Sequence, residues 1–354
     1  MSGRILQLYN ADPKGVVTSR VCPLPDLRSA TVRREVNGEY SLTAALPRGA
    51  SFEDEIQLGR AIKATVNEAG EEQYFIIKRR ARSLTGDMSI YAEHQSYLYG
   101  GVILNGGAAN TDGQARVVFN AIRTYAHPSI TDVATWTYSR PTSLRANFPA
   151  RPVPITVTEA LKSFLVGAAG GELIFDGFDV EYVDQMGADN GAFYRWGVNL
   201  TDMGSEDILD GYASGIYPYW GSQGDTSRPL TVLSGGGVLP FSGTFPIQTI
   251  VPVDLTGQFE TQPTQAQLLA AAQAYADQHT PDGVPISISA SRVRVEGDTA
   301  VDLGDTVRVV NTPWGVDQKT RIFALNFDAL QGRVIDVQFG SVNPGFAGAV
   351  KNMI

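Results

Sequence analysis

TVRREVNGEYSLTAAL, residues 31–46, is the stretch on which the fold turns. Asn37-Gly38 is the dipeptide favoured in two-residue type I′ hairpins, where both residues take positive φ. Around it, Tyr40, Leu42, Ala44 and Leu46 alternate with Glu39, Ser41 and Thr43, which sets one face for burial and one for water. Working outward, AIKATV (61–66) and QYFIIK (73–78) form a second hairpin about NEAGEE, and SIYAEH (89–94) reads as a further strand. Short antiparallel strands with close turns predict a small barrel or sandwich over the first hundred residues.

The composition agrees with that reading. Glycine (37) and proline (19) are plentiful among 354 residues and favour turn-rich β structure. The net charge is −9 and no basic stripe is present, which argues against binding nucleic acid, because phosphates need cations to neutralise them. The single cysteine, Cys22, allows no internal disulfide or cysteine-based metal site and reads as buried and inert. No apolar run is long enough for a membrane span, and the start of the chain lacks a signal-peptide core.

Beyond residue 100 the character changes. TDGQARVVFNAIRTYA (111–126) predicts a helix with a Thr111–Gln114 capping box, TVTEALKSFLVG (156–167) predicts a second, and GGELIFDGFDVEYV (170–183) predicts a hairpin. TSRPLTVLSGGG (226–237) returns to β structure. TQAQLLAAAQAYADQH (264–279) is the clearest helix, with a Thr264–Gln267 capping box and an apolar stripe of Leu268, Ala272, Tyr275 and Ala276. Alternating strands then follow at 285–295, 303–310, 319–328 and 332–340, with NTPWG (311–315) and ALQG (329–332) as turns. The fold class expected is α+β, mainly β: two small antiparallel β-barrels with an α+β insertion and a peripheral helix.

No catalytic constellation is visible. His94, His127 and His279 have no metal-ligand spacing, and nucleophile elbows, phosphate loops and dinucleotide fingerprints are absent. The acidic runs Glu53-Asp54-Glu55, Glu71-Glu72 and Glu206-Asp207 read as solvated faces. Asn199-Leu200-Thr201 matches a glycosylation sequon, which has no meaning without secretion. No enzyme activity, cofactor or metal is expected.

Four stretches, in order, carry a family resemblance: VNGEYSLTAALP (36–47), RWGVNLTDM with YASGIYPYW (195–220), FETQPTQAQLLAAAQAYADQH (259–279) and VDLGDTVRVVNTPWGVDQKTRIFALNFDALQGR (301–333). In these the chain resembles the tail-hub family of bacteriophages. This is the family of prophage tail endopeptidase-like, tail-associated lysin proteins, akin to the baseplate hub of contractile-tailed phages. The resemblance implies a first hub barrel over 1–98, an insertion over 99–194 and a β segment linking or completing the barrels over 195–258. It further implies a peripheral helix over 259–284, a second hub barrel over 285–340 and a tail over 341–354. It implies a homotrimeric ring at the tail tip that adapts a six-fold tube to a three-fold tip and gates release of tape measure protein and DNA. The partners implied are a distal tail protein ring or tail tube protein, the tape measure protein, receptor-binding or tip proteins, and phage DNA in transit. The place implied is the virion tail tip, after synthesis in the bacterial cytoplasm. Only SVNPGFAGAVKNMI follows the last strand, so a short form without a lysin domain is expected. Phe346, Val350 and Ile354 within it are spaced for a docking helix, with a free, frayed terminus as the alternative. An acidic, polar channel lining is expected, where like charge keeps DNA from sticking.

GIYPYWGS (215–222) leaves three readings open. Its aromatics are core residues, subunit-interface anchors of the kind enriched in Tyr and Trp, or a stack for sugar. Pro218 cannot donate to a ladder, so an edge or strand end is expected there. Tyr217, Tyr219, Trp220 and Trp314 are the candidate interface residues. The competing functions are a cell-wall hydrolase, for which a catalytic set is missing, and a carbohydrate-binding module using those four aromatics.

Overall fold

The computed structural model describes residues 4–82, 86–104, 114–130, 134–142, 144, 146, 154–207, 213–241, 248–259, 261–279, 286–292 and 299–339. Expectations placed on Thr111, on 293–295 and on 341–354, including Phe346, Val350 and Ile354, lie outside the described residues.

The alternation around Asn37 builds Ser29–Glu35 and Tyr40–Leu46, paired antiparallel from Ser29↔Ala45 to Arg34↔Tyr40. The turn differs from the expected type I′. Glu35 N–H donates to Glu39 O and Gly38 N–H to Glu35 O, and only Asn37 takes a positive φ, 53°. The four-residue turn is therefore Glu35-Val36-Asn37-Gly38, one residue upstream, with Asn in the left-handed third position that a type II turn gives to Gly or Asn. The shift leaves the Asn37 carboxamide free to work elsewhere.

Strands Leu6–Ala11, Val17–Leu24, Ala61–Thr65, Glu72–Ala81 and Met88–His94 complete the N-terminal set. Two closed barrels were expected, but no path of paired strands closes among the described residues. Instead, Ser29–Glu35 pairs along its other edge with Val316–Asp328, from Ala324↔Glu35 to Asp328↔Thr31. The paired strands thus form one 13-stranded sheet, running from Val17–Leu24 at one end to Leu200–Asp207 at the other. Asp189–Arg195 joins as a branch, pairing in parallel with Thr306–Asn311, which pairs with Val316–Asp328. The physical reason is burial. Leu8, Val32, Leu42 and Phe75 share a single core with Tyr194, Ile322, Phe327 and Phe339, and pairing the two halves satisfies backbone groups that an open edge would leave bare.

A second core lies between Tyr99 and Tyr182. There the helix Ala115–Thr124 has Gln114 as its N-cap residue. The second helix begins as expected at Thr156, whose hydroxyl accepts from Glu159 N–H. Its ladder then widens to a π turn over Leu161–Val166 before ending at Ala169. The hairpin forms as Glu172–Asp176 with Asp179–Val183. A third core gathers Ile216, Trp220, Val251 and Val253 against Leu268, Ala272 and Ala276 of the helix Gln265–His279. Its capping box is reciprocal: Thr264 N–H donates to Gln267 Oε1 at 2.9 Å, and Gln267 N–H donates to Thr264 Oγ1 at 3.3 Å. Among the described residues no helix is long and apolar enough to cross a membrane.

Candidate functional site

The candidate aromatics fall into different settings. Gly215–Trp220 is the central strand of a four-stranded sheet, paired in parallel along its length with Ile250–Asp254. Pro218 thus sits mid-strand, not at an end. Two short strands flank the other side, Thr231–Val232 beside 219–220 and Leu239–Pro240 beside 215–216. Neither pairs with Pro218, so its missing N–H costs no ladder bond there. Trp220 is 1 % exposed and donates its indole N–H to Phe259 O at 3.2 Å. Tyr217 and Tyr219 are half-buried on the opposite face. The Tyr217 ring lies against Gly237, where a Cβ would stand 2.2 Å from Cε2, so the 234–238 segment is a tight glycine turn fitted to that ring. Trp314 closes a 3-10 turn, Thr312–Trp314, and its side chain lies outside the described residues.

A cleft lies away from these aromatics. With a volume of about 570 Å³, it opens where the first sheet, the 172–176 strand and the 300–305 loop meet. A polar network forms one wall. Arg34 Nη1 donates to Asp302 Oδ1 at 2.6 Å, and Asn67 Nδ2 donates to Asp302 Oδ2 and Glu71 Oε2, each at 3.0 Å. Burial works against the Arg34 charge, but Asp302, Tyr40 and Glu71 together outweigh it and the guanidinium pKa is raised. Gln73 ties the sheet to the hairpin, donating to Asp176 Oδ1 and accepting from Gly177 N–H, each at 2.9 Å. His94 stacks on Tyr40 with ring centroids 4.1 Å apart. Its Nε2 faces Gln73 Oε1 at 3.1 Å, and its Nδ1 accepts from Ser96 N–H. Burial pushes the Tyr40 hydroxyl well above its usual value, with the Arg34 charge pulling the other way.

Burial, aided by the Arg34 charge, pushes His94 down to about 3, so the imidazole is neutral and held at both nitrogens. It is a structural group that holds Gln73, which in turn reaches the hairpin, rather than an acid–base group. Its folded pKa lies below the ordinary value of about 6.5, so its contribution to stability is complete above that pH and is lost as pH falls toward 3. Unfolding free energy is expected to drop on acidification by up to about 1.4 kcal/mol per pH unit from this group. Denaturant unfolding of wild type and His94→Gln between about pH 7 and 4 checks it. Parallel profiles would exclude the histidine as the source.

Two further joints fix the hairpin. Asn37 Nδ2 donates to Gly171 O at 3.0 Å while its Oδ1 accepts from Leu173 N–H at 2.9 Å. Arg321 grips Glu172 with both Nη atoms, at 2.5 and 2.6 Å, and also donates to Gly304 O and Met186 O. Among the described residues no group of His, Cys, Asp and Glu could hold a metal ion.

Sequence reasoning passed over one corner. Phe193, Trp196 and Val198 are 42, 47 and 48 % exposed, three of the nine large apolar side chains exposed among the described residues. The available signal was FYRWGV (193–198) itself: Ala192 and Tyr194 take the buried face, which sends Phe193 outward. This edge is closed by Asn199, whose Nδ2 donates to Phe193 O at 2.9 Å and whose Oδ1 accepts from Arg195 N–H at 2.8 Å, as a neighbouring peptide would.

No family model and no curated protein sequence matches the chain. Solved structures do. Prophage tail protein gp18 from Listeria monocytogenes superposes with a TM-score of 0.65 at 13 % identity, over 99 % of this chain and 98 % of that one. A tail protein from Neisseria meningitidis gives 0.59 at 13 %, covering 98 % of each chain. The 43 kDa tail protein of prophage MuSo2 from Shewanella oneidensis gives 0.59 at 12 %, over 97 % of this chain and 100 % of that one. At such identities the likeness is one of fold: this mainly β chain is built, along nearly its whole length, on the fold of these tail proteins.

Proposed function

We propose that the chain is a structural protein of a phage tail, acting as the hub at the distal tip. The observation that carries the reading is the whole-length fold match to three tail proteins, two of them from prophages. The polar wall of the cleft adds support, because Arg34, Asn67 and Asp302 are occupied in bonds that join the first sheet to the 300–305 loop, as in a load-carrying part. In this reading three copies form a ring built from barrel-like units that the strand sets at either end of the sheet contribute. The ring meets the distal tail ring or tube protein on one side and tip proteins on the other, and it gates passage of the tape measure protein and DNA. Tyr217, Tyr219, Trp220 and Trp314 remain candidates for its contacts, and an acidic lining is its expected channel.

The test is the solution mass of the purified protein, by light scattering after size exclusion, alone and with the neighbouring tail ring protein. A mass near three times 38.1 kDa for the protein alone, or a complex with the ring protein that holds three copies of the chain, is the expected result. A single-chain mass in both would overturn the ring.

A further inference from the structure

The corner formed by Phe193, Trp196 and Val198 belongs to a strand that, among those described, has one neighbour. A bare strand edge recruits other strands through its backbone, but Asn199 occupies Phe193 O and Arg195 N–H. Whatever covers this corner therefore does so through side chains. The solvent face beside it is laid out by register: Phe193 stands next to Arg308, and Arg308 next to Lys319. Arg308 grips Asp317 with two bonds of 2.7 Å, and Lys319 reaches Asp189 at 2.7 Å. With Arg195, also exposed, this face sets three cations, Arg195, Arg308 and Lys319, against two carboxylates, Asp189 and Asp317. A positive balance around exposed aromatics is notable on a chain whose net charge is −9. Apolar centres inside a charged rim are the anatomy of protein interfaces, and a local excess of positive charge is attracted to an acidic surface.

We infer that the Phe193–Trp196–Val198 corner and its cationic rim dock onto an acidic surface of a second copy of this chain. The two surfaces in contact are different ones, so the contact is head-to-tail and generates a ring where its rotation closes. The inference rests on the reading of the chain as a ring-forming tail protein and assigns one side of its subunit contact.

The experiment compares wild type with Phe193→Ser/Trp196→Ser and, separately, with Lys319→Glu, by light scattering across a concentration series. The wild type is expected at a multiple of the chain mass, and both variants at one chain, each keeping the wild-type unfolding midpoint. If the double variant does not fold, Val198→Lys makes the same test by placing a charge at the apolar centre. An oligomer that persists in the variants overturns this assignment and leaves the ring standing with its contact elsewhere. A wild type that stays at single-chain mass, alone and with the tail ring protein, overturns both.

Discussion

Arg321→Ala is expected to lower the unfolding free energy by about 3–5 kcal/mol, the range for breaking a buried ion pair from one side. The pair is largely hidden, with side chains 21 and 11 % exposed. Removal leaves the Glu172 carboxylate with Met186 N–H as its remaining described partner, at 2.7 Å, and strips donors from Gly304 O and Met186 O. Arg321→Met with Glu172→Leu is expected to recover most of the loss, because the cost lies in the uncompensated charge rather than in the missing attraction. Urea unfolding of wild type, the single variant and the pair settles the matter. A single-variant loss below about 1 kcal/mol would place this bridge with surface pairs. The hairpin and the last strands would then be held by Asn37, Gln73 and apolar contact alone.

Trp220→Ala carries the second large effect, about 3–5 kcal/mol, as for other buried aromatics cut to alanine. The indole fills the third core against the Gln265–His279 helix, and its loss also unpairs Phe259 O. Tyr219→Ala, on the half-buried face, is expected to cost less. The two variants separate core from contact. A Trp220→Ala protein with unchanged midpoint but altered oligomeric mass would make the indole an interface anchor. A large stability loss with unchanged mass makes it a core residue of the single chain.

Much of this architecture was legible because burial alternates in strands. Leu42, Ala44 and Leu46 face inward as their spacing requires, and the Thr264–Gln267 box forms as its spacing requires. Alternation names a face, however, and not a neighbour. Nothing in TVRRE (31–35) says that its second edge belongs to residues 324–328, so two closed units were expected where one sheet is continuous. The turn was missed for a related reason: Asn-Gly marks a turn, while tertiary contacts choose which residue takes the positive φ, and here Asn37 is committed to Gly171 and Leu173. His94 and Glu172 carried no signal, because their partners come from distant segments. Asn199 was noticed as a sequon, but its fully buried amide closes a strand edge instead.

The pairing of Ser29–Glu35 with Val316–Asp328 has a consequence for how the protein comes into being. The partners of one hydrogen-bonded ladder lie some ~290 residues apart, so at about 5–20 residues per second the ribosome needs roughly 15–60 s between making the first and the second. Throughout that interval the Tyr40–Leu46 hairpin can form, but its outer edge has no partner, and the core it shares with Ile322, Phe327 and Phe339 is incomplete. Long-range pairing of this kind is slow to form, and a truncated or stalled chain carries an unsatisfied edge that invites aggregation. Synthesis through Val316–Asp328 is thus the step that gives a sticky nascent hairpin its missing neighbour.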